Sequence, residues 1–135
     1  MRRLFGVAIA VTVLTLFGAP AAWAGSPHFV SNGFSITQSD TSVTVTAKEA
    51  GLGDEAQIHV TLSADAACIN PGSKHPKAAN KESFSAASDF PVQNGKADIS
   101  LTLTATFQPD CTPPMTVVFS NIILTDDTNS LTHRF

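Results

Sequence analysis

The residues of this sequence best suited to chemistry lie in residues 70–81, directly after a cysteine-containing stretch. This segment contains two prolines and a glycine and shows no alternation of apolar and polar residues, so it predicts a surface loop. Loops on rigid scaffolds often carry binding function. An imidazole group and three of the eight basic residues of the chain lie here, namely Lys74, His75, Lys77 and Lys81. We interpret the segment as an interaction loop for an anionic partner; the alternative is a loop that only keeps the protein soluble.

No motif predicts catalysis or metal binding. The serines lie outside any Gly-x-Ser-x-Gly pattern, and the four histidines lack the i, i+2 or i, i+4 spacing of a local zinc site. The acidic pairs at 54–55 and 126–127 fall in predicted turns. Such carboxylates bind calcium in some exported domains, but ordinary turn capping also explains them. We therefore predict no catalytic residue, no metal ligand and no cofactor.

A stripe of threonines raises a third possibility. Thr102, Thr104 and Thr106, with Thr44 and Thr46 beside them, would form a flat array that suits an ordered surface such as ice or a polysaccharide. Threonine is also simply a good strand former on a solvated sheet face. Because the array does not repeat through the chain, we interpret it as a solvated face.

The first residues have the three-part pattern of a secretory signal peptide. Two arginines follow Met1, residues 4–18 carry no charge, and Ala22-Trp23-Ala24 has the small-x-small pattern that signal peptidase cleaves. The apolar run is shorter than the roughly 20 residues of a membrane-spanning helix, which argues against an uncleaved anchor. We predict a signal peptide over 1–24 and a secreted, extracellular domain over 25–135 with no membrane span. The arginine pair does not distinguish general from twin-arginine export.

Two cysteines, Cys68 and Cys111, lie in the predicted exported part. An even number of cysteines in an oxidising compartment favours a disulfide over two free thiols or a metal-binding pair. Loss of Arg2 and Arg3 with the signal leaves six basic residues beside eleven acidic ones. Such a domain is poorly suited to nucleic acid or to anionic membrane surfaces, because both are bound through Lys and Arg.

The exported part has the periodicity of short strands separated by turns. Residues 42–47, 57–62 and 97–107 alternate polar and apolar residues, as half-buried strands do. Asn94-Gly95 predicts a type I′ hairpin turn. Further strands are predicted at 29–37, with an interruption near Asn32-Gly33, and at 83–92, 116–125 and 130–135. The stretch 116–125 is more continuously apolar and is predicted nearer the middle of a sheet.

About seven short strands with turns between them predict an all-β fold, a single antiparallel β-sandwich that is immunoglobulin-like in the broad sense. An up-and-down barrel is the alternative. Immunoglobulin domains bridge two strand cysteines across a buried tryptophan, whereas Trp23 lies in the predicted signal here. The predicted disulfide instead ties the loop after Cys68 to the connection around Cys111, at one end of the sandwich.

The segment between the cysteines resembles small secreted proteins of filamentous soil actinobacteria. The resemblance rests on CINPG at 68–72, HPKAANK at 75–81 and FPVQNGK at 90–96, and it covers about residues 60–125. It implies secretion and one compact domain, and it carries over no functional residue.

These observations predict a non-enzymatic exported binding module that acts at or outside the cell surface. Its partner would be a cell-wall polymer or an extracellular protein, contacted through the 70–81 loop. Two alternatives remain: a secreted inhibitor of a hydrolase that presents the same loop, and a small secreted hydrolase. The sequence does not indicate the oligomeric state.

Overall fold

The computed structural model describes residues 25–70 and 80–135, which fold into two antiparallel sheets packed face to face. The predicted signal peptide and most of the 70–81 loop lie outside these residues. The β-sandwich predicted from the sequence is confirmed. Its strands are β1 (His28–Phe29), β2 (Ser35–Gln38), β3 (Ser42–Ala50), β4 (Gln57–Ile69), β5 (Lys81–Pro91), β6 (Ala97–Thr104), β7 (Thr116–Asp126) and β8 (Leu131–Arg134).

The first sheet has β3 at its centre. Strand β6 pairs with one edge of β3, while β1 and β2 pair with different parts of its other edge. The second sheet has the order β5-β4-β7-β8, and every pairing in both sheets is antiparallel. Strand β7 therefore lies inside its sheet, as its more continuous apolar sequence predicts. No helix in the described parts of the chain is long and apolar enough to cross a membrane.

The core consists of the residues that alternation assigns to the inner face. The apolar residues at the alternate positions of β3, β4 and β6 are buried, and polar residues between them face outward. Strand β4 is longer than its predicted range of 57–62. It continues to Ile69 because Ala64 and Ala66 extend the buried face, and alanine carries little strand signal. The predicted interruption near Asn32-Gly33 separates β1 from β2.

The β5–β6 connection is the hairpin that Asn94-Gly95 predicts. Both residues have positive φ, 53° and 72°, as a type I′ turn requires. Gln93 and Lys96 flank the turn and exchange backbone hydrogen bonds of 2.9 and 3.0 Å. Beyond this single bridge the strands separate, so the turn carries the chain from β5 in the second sheet to β6 in the first.

We expect Gly95→Ala to lower the free energy of unfolding by about 1 kcal/mol, because a Cβ disfavours positive φ. The built Cβ meets its nearest atom, the Gly53 amide nitrogen, at 3.4 Å, so the cost is one of backbone conformation and not of collision. Urea denaturation measures the change. The matched control is Asn94→Gly, which accepts the same φ and should stay within a few tenths of a kcal/mol of the parent. Equal loss in both variants would contradict the turn assignment.

The predicted disulfide is confirmed, and it marks one end of the sandwich. Cys68, next to last in β4, is bonded to Cys111 in the β6–β7 connection, with their Cα atoms 5.8 Å apart. We call this the disulfide end; β4 finishes there and β5 begins there. At the opposite end, the hairpin end, lie the Asn94-Gly95 turn, the 51–56 loop and the 127–130 turn.

Candidate functional site

The disulfide end contains the described part of the predicted interaction loop. Lys74, His75 and Lys77 lie outside the described residues. Lys81 is described; it is exposed and begins β5. Its backbone pairs with Ala67 of β4, the neighbour of Cys68. The two ends of the loop are therefore joined by strand pairing, and the disulfide ties them to the β6–β7 connection.

A row of polar side chains crosses the outer face of the second sheet beside Lys81. Ser83 Oγ donates to Asp65 Oδ1 at 2.6 Å, and Asn121 Nδ2 donates to Asp65 Oδ2 at 2.8 Å. Asn121 has a φ of 50° and sits where the β4–β7 register shifts, so a β-bulge aims its amide at Asp65. The Asn121 and Ser83 hydrogen bonds, with the charge of Lys81, lower the pKa of Asp65. This row lines a shallow depression of about 290 Å³.

A larger groove of about 630 Å³ opens on another side of the disulfide end. One wall is the β2–β3 turn at 38–41. The other wall is Cys111 with residues 113–117, whose apolar members include Met115 and Val117. A smaller cavity of about 90 Å³ is also lined by Met115, together with Cys68 and Phe107. The disulfide end thus combines a charged loop root with concave, partly apolar surface.

The outer face of the first sheet carries hydroxyl groups across three strands. Antiparallel register aligns Ser35, Thr46 and Ser100 in one row and Thr37, Thr44 and Thr102 in the next. Thr44 and Thr102 share a hydrogen bond of 2.8 Å, and Ser35 and Thr46 one of 2.6 Å. We call this surface the hydroxyl face; its members are Ser35, Thr37, Ser42, Thr44, Thr46, Ser100, Thr102 and Thr104.

The hydroxyl face is wider than the sequence indicates. The threonine stripes of β3 and β6 are visible in the sequence, but only strand pairing places them side by side and adds the serines and Thr37. In ideal strand geometry, neighbouring strands are about 4.8 Å apart and successive outward residues about 6.8 Å apart, so we expect the hydroxyl groups to approximate a lattice. The next outward pair along the strands is an exposed ion pair, Lys48 and Asp98 at 3.8 Å. The lattice itself is uncharged.

One histidine is paired with a carboxylate. His59 Nδ1 donates to Asp89 Oδ1 at 2.6 Å across β4 and β5, and both side chains are about half exposed. The Asp89 hydrogen bond raises the pKa of His59. In the described residues the ring bonds this carboxylate and not a serine hydroxyl. With His59 protonated, the two side chains form an exposed ion pair.

Two carboxyl groups are buried between the sheets at the hairpin end. Glu49 of β3 is 1% exposed and Asp126, the last residue of β7, is fully buried. Asp126 Oδ1 accepts from the Thr128 backbone N–H at 2.8 Å, and its Oδ2 accepts from Asn129 Nδ2 at 2.7 Å. Neither Glu49 oxygen receives a hydrogen bond from a donor in the described residues. Burial, then the hydrogen bond that a protonated Glu49 can donate to Asp126, then repulsion by Asp126 and Glu55 raise the pKa of Glu49 to about 8.

Sequence reasoning missed this pair. Asp126 was expected in a turn, but it ends a strand and also caps the turn that follows. The signal for Glu49 was available, because the alternation of Val43, Val45 and Ala47 places residue 49 on the inner face. The predicted strand ended at Ala47, whereas β3 continues to Ala50.

The described residues contain no group of three or more His, Cys, Asp or Glu side chains arranged to hold a metal ion. Comparison with protein-family models, curated proteins and solved structures finds no match to this chain. The function must therefore be argued from the surfaces described above. A disulfide in a small all-β domain is compatible with an extracellular location.

Proposed function

We propose that this protein is a secreted, non-enzymatic binding module that attaches to a cell-wall polymer through its disulfide end. The observation that carries the proposal is the Cys68–Cys111 bond, which ties the root of the basic 70–81 loop to the β6–β7 connection. A loop whose ends are fixed loses less conformational entropy on binding than a free one. Fixing the ends of the loop would therefore favour binding of Lys74, Lys77 and Lys81 to an anionic polymer.

The charge distribution of the domain supports a local contact. Acidic residues outnumber basic ones in residues 25–135, so the domain as a whole is not attracted to anionic polymer. Half of the six basic residues are gathered in the loop. Attraction that depends on three neighbouring lysines weakens as salt rises, because exposed charges are screened over about 10 Å at 0.1 M.

The hydroxyl face favours a second contact with the same class of partner. Regularly spaced, uncharged hydroxyl groups can exchange hydrogen bonds with the hydroxyls of a repeating glycan. Unlike the lysine loop, this face would bind through contacts that salt barely affects. The two surfaces can therefore be separated by experiment.

The test mixes purified protein with washed cells or isolated wall polymer and measures the protein left in solution by intact mass. We expect salt-sensitive depletion, which the variant Lys74→Ser, Lys77→Ser, Lys81→Ser reduces at least severalfold. The matched control is Lys48→Ser, Lys96→Ser, Arg134→Ser, which removes the same charge away from the disulfide end and should bind like the parent. The variant Thr44→Val, Thr102→Val keeps shape and strand preference and tests the hydroxyl face.

Full recovery of the parent protein in solution would contradict wall binding. Inhibition of a protease panel would then test the inhibitor alternative, which uses the same loop. Equal loss of binding in the loop variant and in its control would show that net charge, and not the loop, governs attachment. The measured mass also tests export, since signal cleavage and the disulfide require residues 25–135, two hydrogens lighter than the reduced form.

A further inference from the structure

The carboxyl pair at the hairpin end points to a function of its own. Glu49 extends from β3 and Asp126 from β7, so the pair joins the two sheets. A buried carboxylate with no donor is costly, and two facing carboxylates are costlier still. We propose that Glu49 and Asp126 hold one proton between them, and that this shared proton stabilises the contact between the two sheets at the hairpin end, so that the domain loses stability when alkaline solution removes it.

The hydrogen bonds determine which carboxyl carries the proton. Both Asp126 oxygens already accept hydrogen bonds, from the Thr128 backbone N–H and from the Asn129 amide. Glu49 has no such donor. When Glu49 is protonated, its O–H becomes the donor that faces Asp126, and this one proton supplies Glu49 with its only polar partner in the described residues.

A cation fits the same place less well. The Asn129 amide nitrogen lies between Asp126 and Glu55 and donates to both, at 2.7 and 3.2 Å. A donor NH₂ group thus occupies the position that a cation bridging these two carboxylates would take. The absence of a three-ligand cluster in the described residues agrees with this.

The charges around Glu49 are all of one sign. Asp126 on β7 and Glu55 in the 51–56 loop are the charged groups that act on it, and both are negative. Its register neighbours, Phe29 of β1 and Ala97 of β6, are uncharged. On its own strand, Lys48 points outward and pairs with Asp98. The 127–130 turn contributes neutral Thr128 and Asn129 at the Asp126 carboxylate. The two charged groups that act on Glu49 therefore both oppose its ionisation.

The direction of the pH effect follows from this arrangement. The pKa of Glu49 is about 8 in the folded protein and about 4.5 when unfolded. Folding therefore favours the protonated form, and its stabilising effect is complete below about pH 4.5 and declines as the pH rises to about 8. The His59–Asp89 pair also stabilises the fold less as the pH rises, because the pKa of His59 is raised too. A variant that affects Glu49 alone is needed to separate the two.

The test measures the melting temperature of the parent, Glu49→Gln and Glu82→Gln between pH 5 and 9. The glutamine at position 49 keeps a donor toward Asp126 and does not titrate. We expect the parent to lose on the order of 10 °C more than Glu49→Gln across this range. Glu82 is exposed at the disulfide end, so Glu82→Gln makes the same chemical change and should follow the parent.

Identical pH profiles for the parent and Glu49→Gln would overturn the proposal. Carbon NMR of the parent gives a second test that needs no variant: the Glu49 side-chain carboxyl should titrate near pH 8, and a midpoint below pH 5 would refute the shared proton. Calcium chloride that raises the melting temperature of the parent but not of Glu49→Gln would also overturn it, in favour of a cation. Neither test depends on wall binding.

Discussion

Removing the disulfide with Cys68→Ala, Cys111→Ala is expected to lower the free energy of unfolding by about 4 kcal/mol. The bond closes a loop with a sequence separation of 43 residues, and the chain-entropy relation gives this value for a ring of that length. The folded protein is expected to keep its sandwich, because the two cysteines lie at one end and not across the centre of the core. Urea denaturation of the parent and the double variant measures the difference.

Reduction of the parent protein is the control for this prediction. Reduced parent and double variant should unfold at similar urea concentrations, since both lack the cross-link. A loss below about 1 kcal/mol would contradict the expectation, because it would mean that the cross-link hardly restricts the unfolded chain. A separate measurement, the binding of the double variant to wall polymer, would show whether the 70–81 loop needs the disulfide to bind.

The core substitution Leu124→Ala is expected to lower the free energy of unfolding by about 3 kcal/mol. Leu124 is fully buried in β7, and Leu→Ala at such sites removes both the transfer free energy of the side chain and the packing around the cavity that remains. Val118 lies on the same strand but is 45% exposed, so Val118→Ala is the matched control and should change stability by about 0.5 kcal/mol or less.

Equal losses at the two positions would mean that the inner and outer faces of β7 are assigned wrongly. The comparison is informative because the β-bulge at Asn121 lies between the two positions: in a regular strand Val118 and Leu124, six residues apart, would face the same side of the sheet. The slope of the urea transition should be the same in both variants and the parent, since neither alters the surface exposed on unfolding by much.

The elements that the sequence predicted well are those whose alternation is carried by strong strand formers. Val43, Val45, Ile58 and Leu103 are all on the predicted inner face. The prediction failed where the inward residues are weak strand formers or charged. The second half of β4 was not predicted because its inward residues are alanines, and Glu49 was not assigned to the inner face because it is charged. The alternation of positions determines which way a side chain points. At these sites the prediction relied on residue type and therefore ended the strands too early.

The candidate surfaces could be predicted only in part. The disulfide could be predicted, because the predicted exported part contains two cysteines, whereas the 70–81 loop stays a prediction, since residues 71–79 lie outside the described residues. The hydroxyl face required the pairing of β2 with β3 and of β3 with β6, which joins Ser35, Thr46 and Ser100 across large sequence separations. The meeting of Glu49 with Asp126 depends on how the two sheets are stacked. No local pattern encodes that geometry.

The Cys68–Cys111 bond also makes a covalent ring of the chain between these residues, and this ring includes one strand from each sheet, β5 and β6. The 70–81 loop lies within the ring. A protease that cuts one peptide bond in this loop would therefore open the ring without dividing the molecule, and β5 would remain attached through the Asn94-Gly95 hairpin. Under oxidising conditions a nicked molecule therefore keeps every strand, and a cut between residues 70 and 81 would not by itself release the protein from a surface.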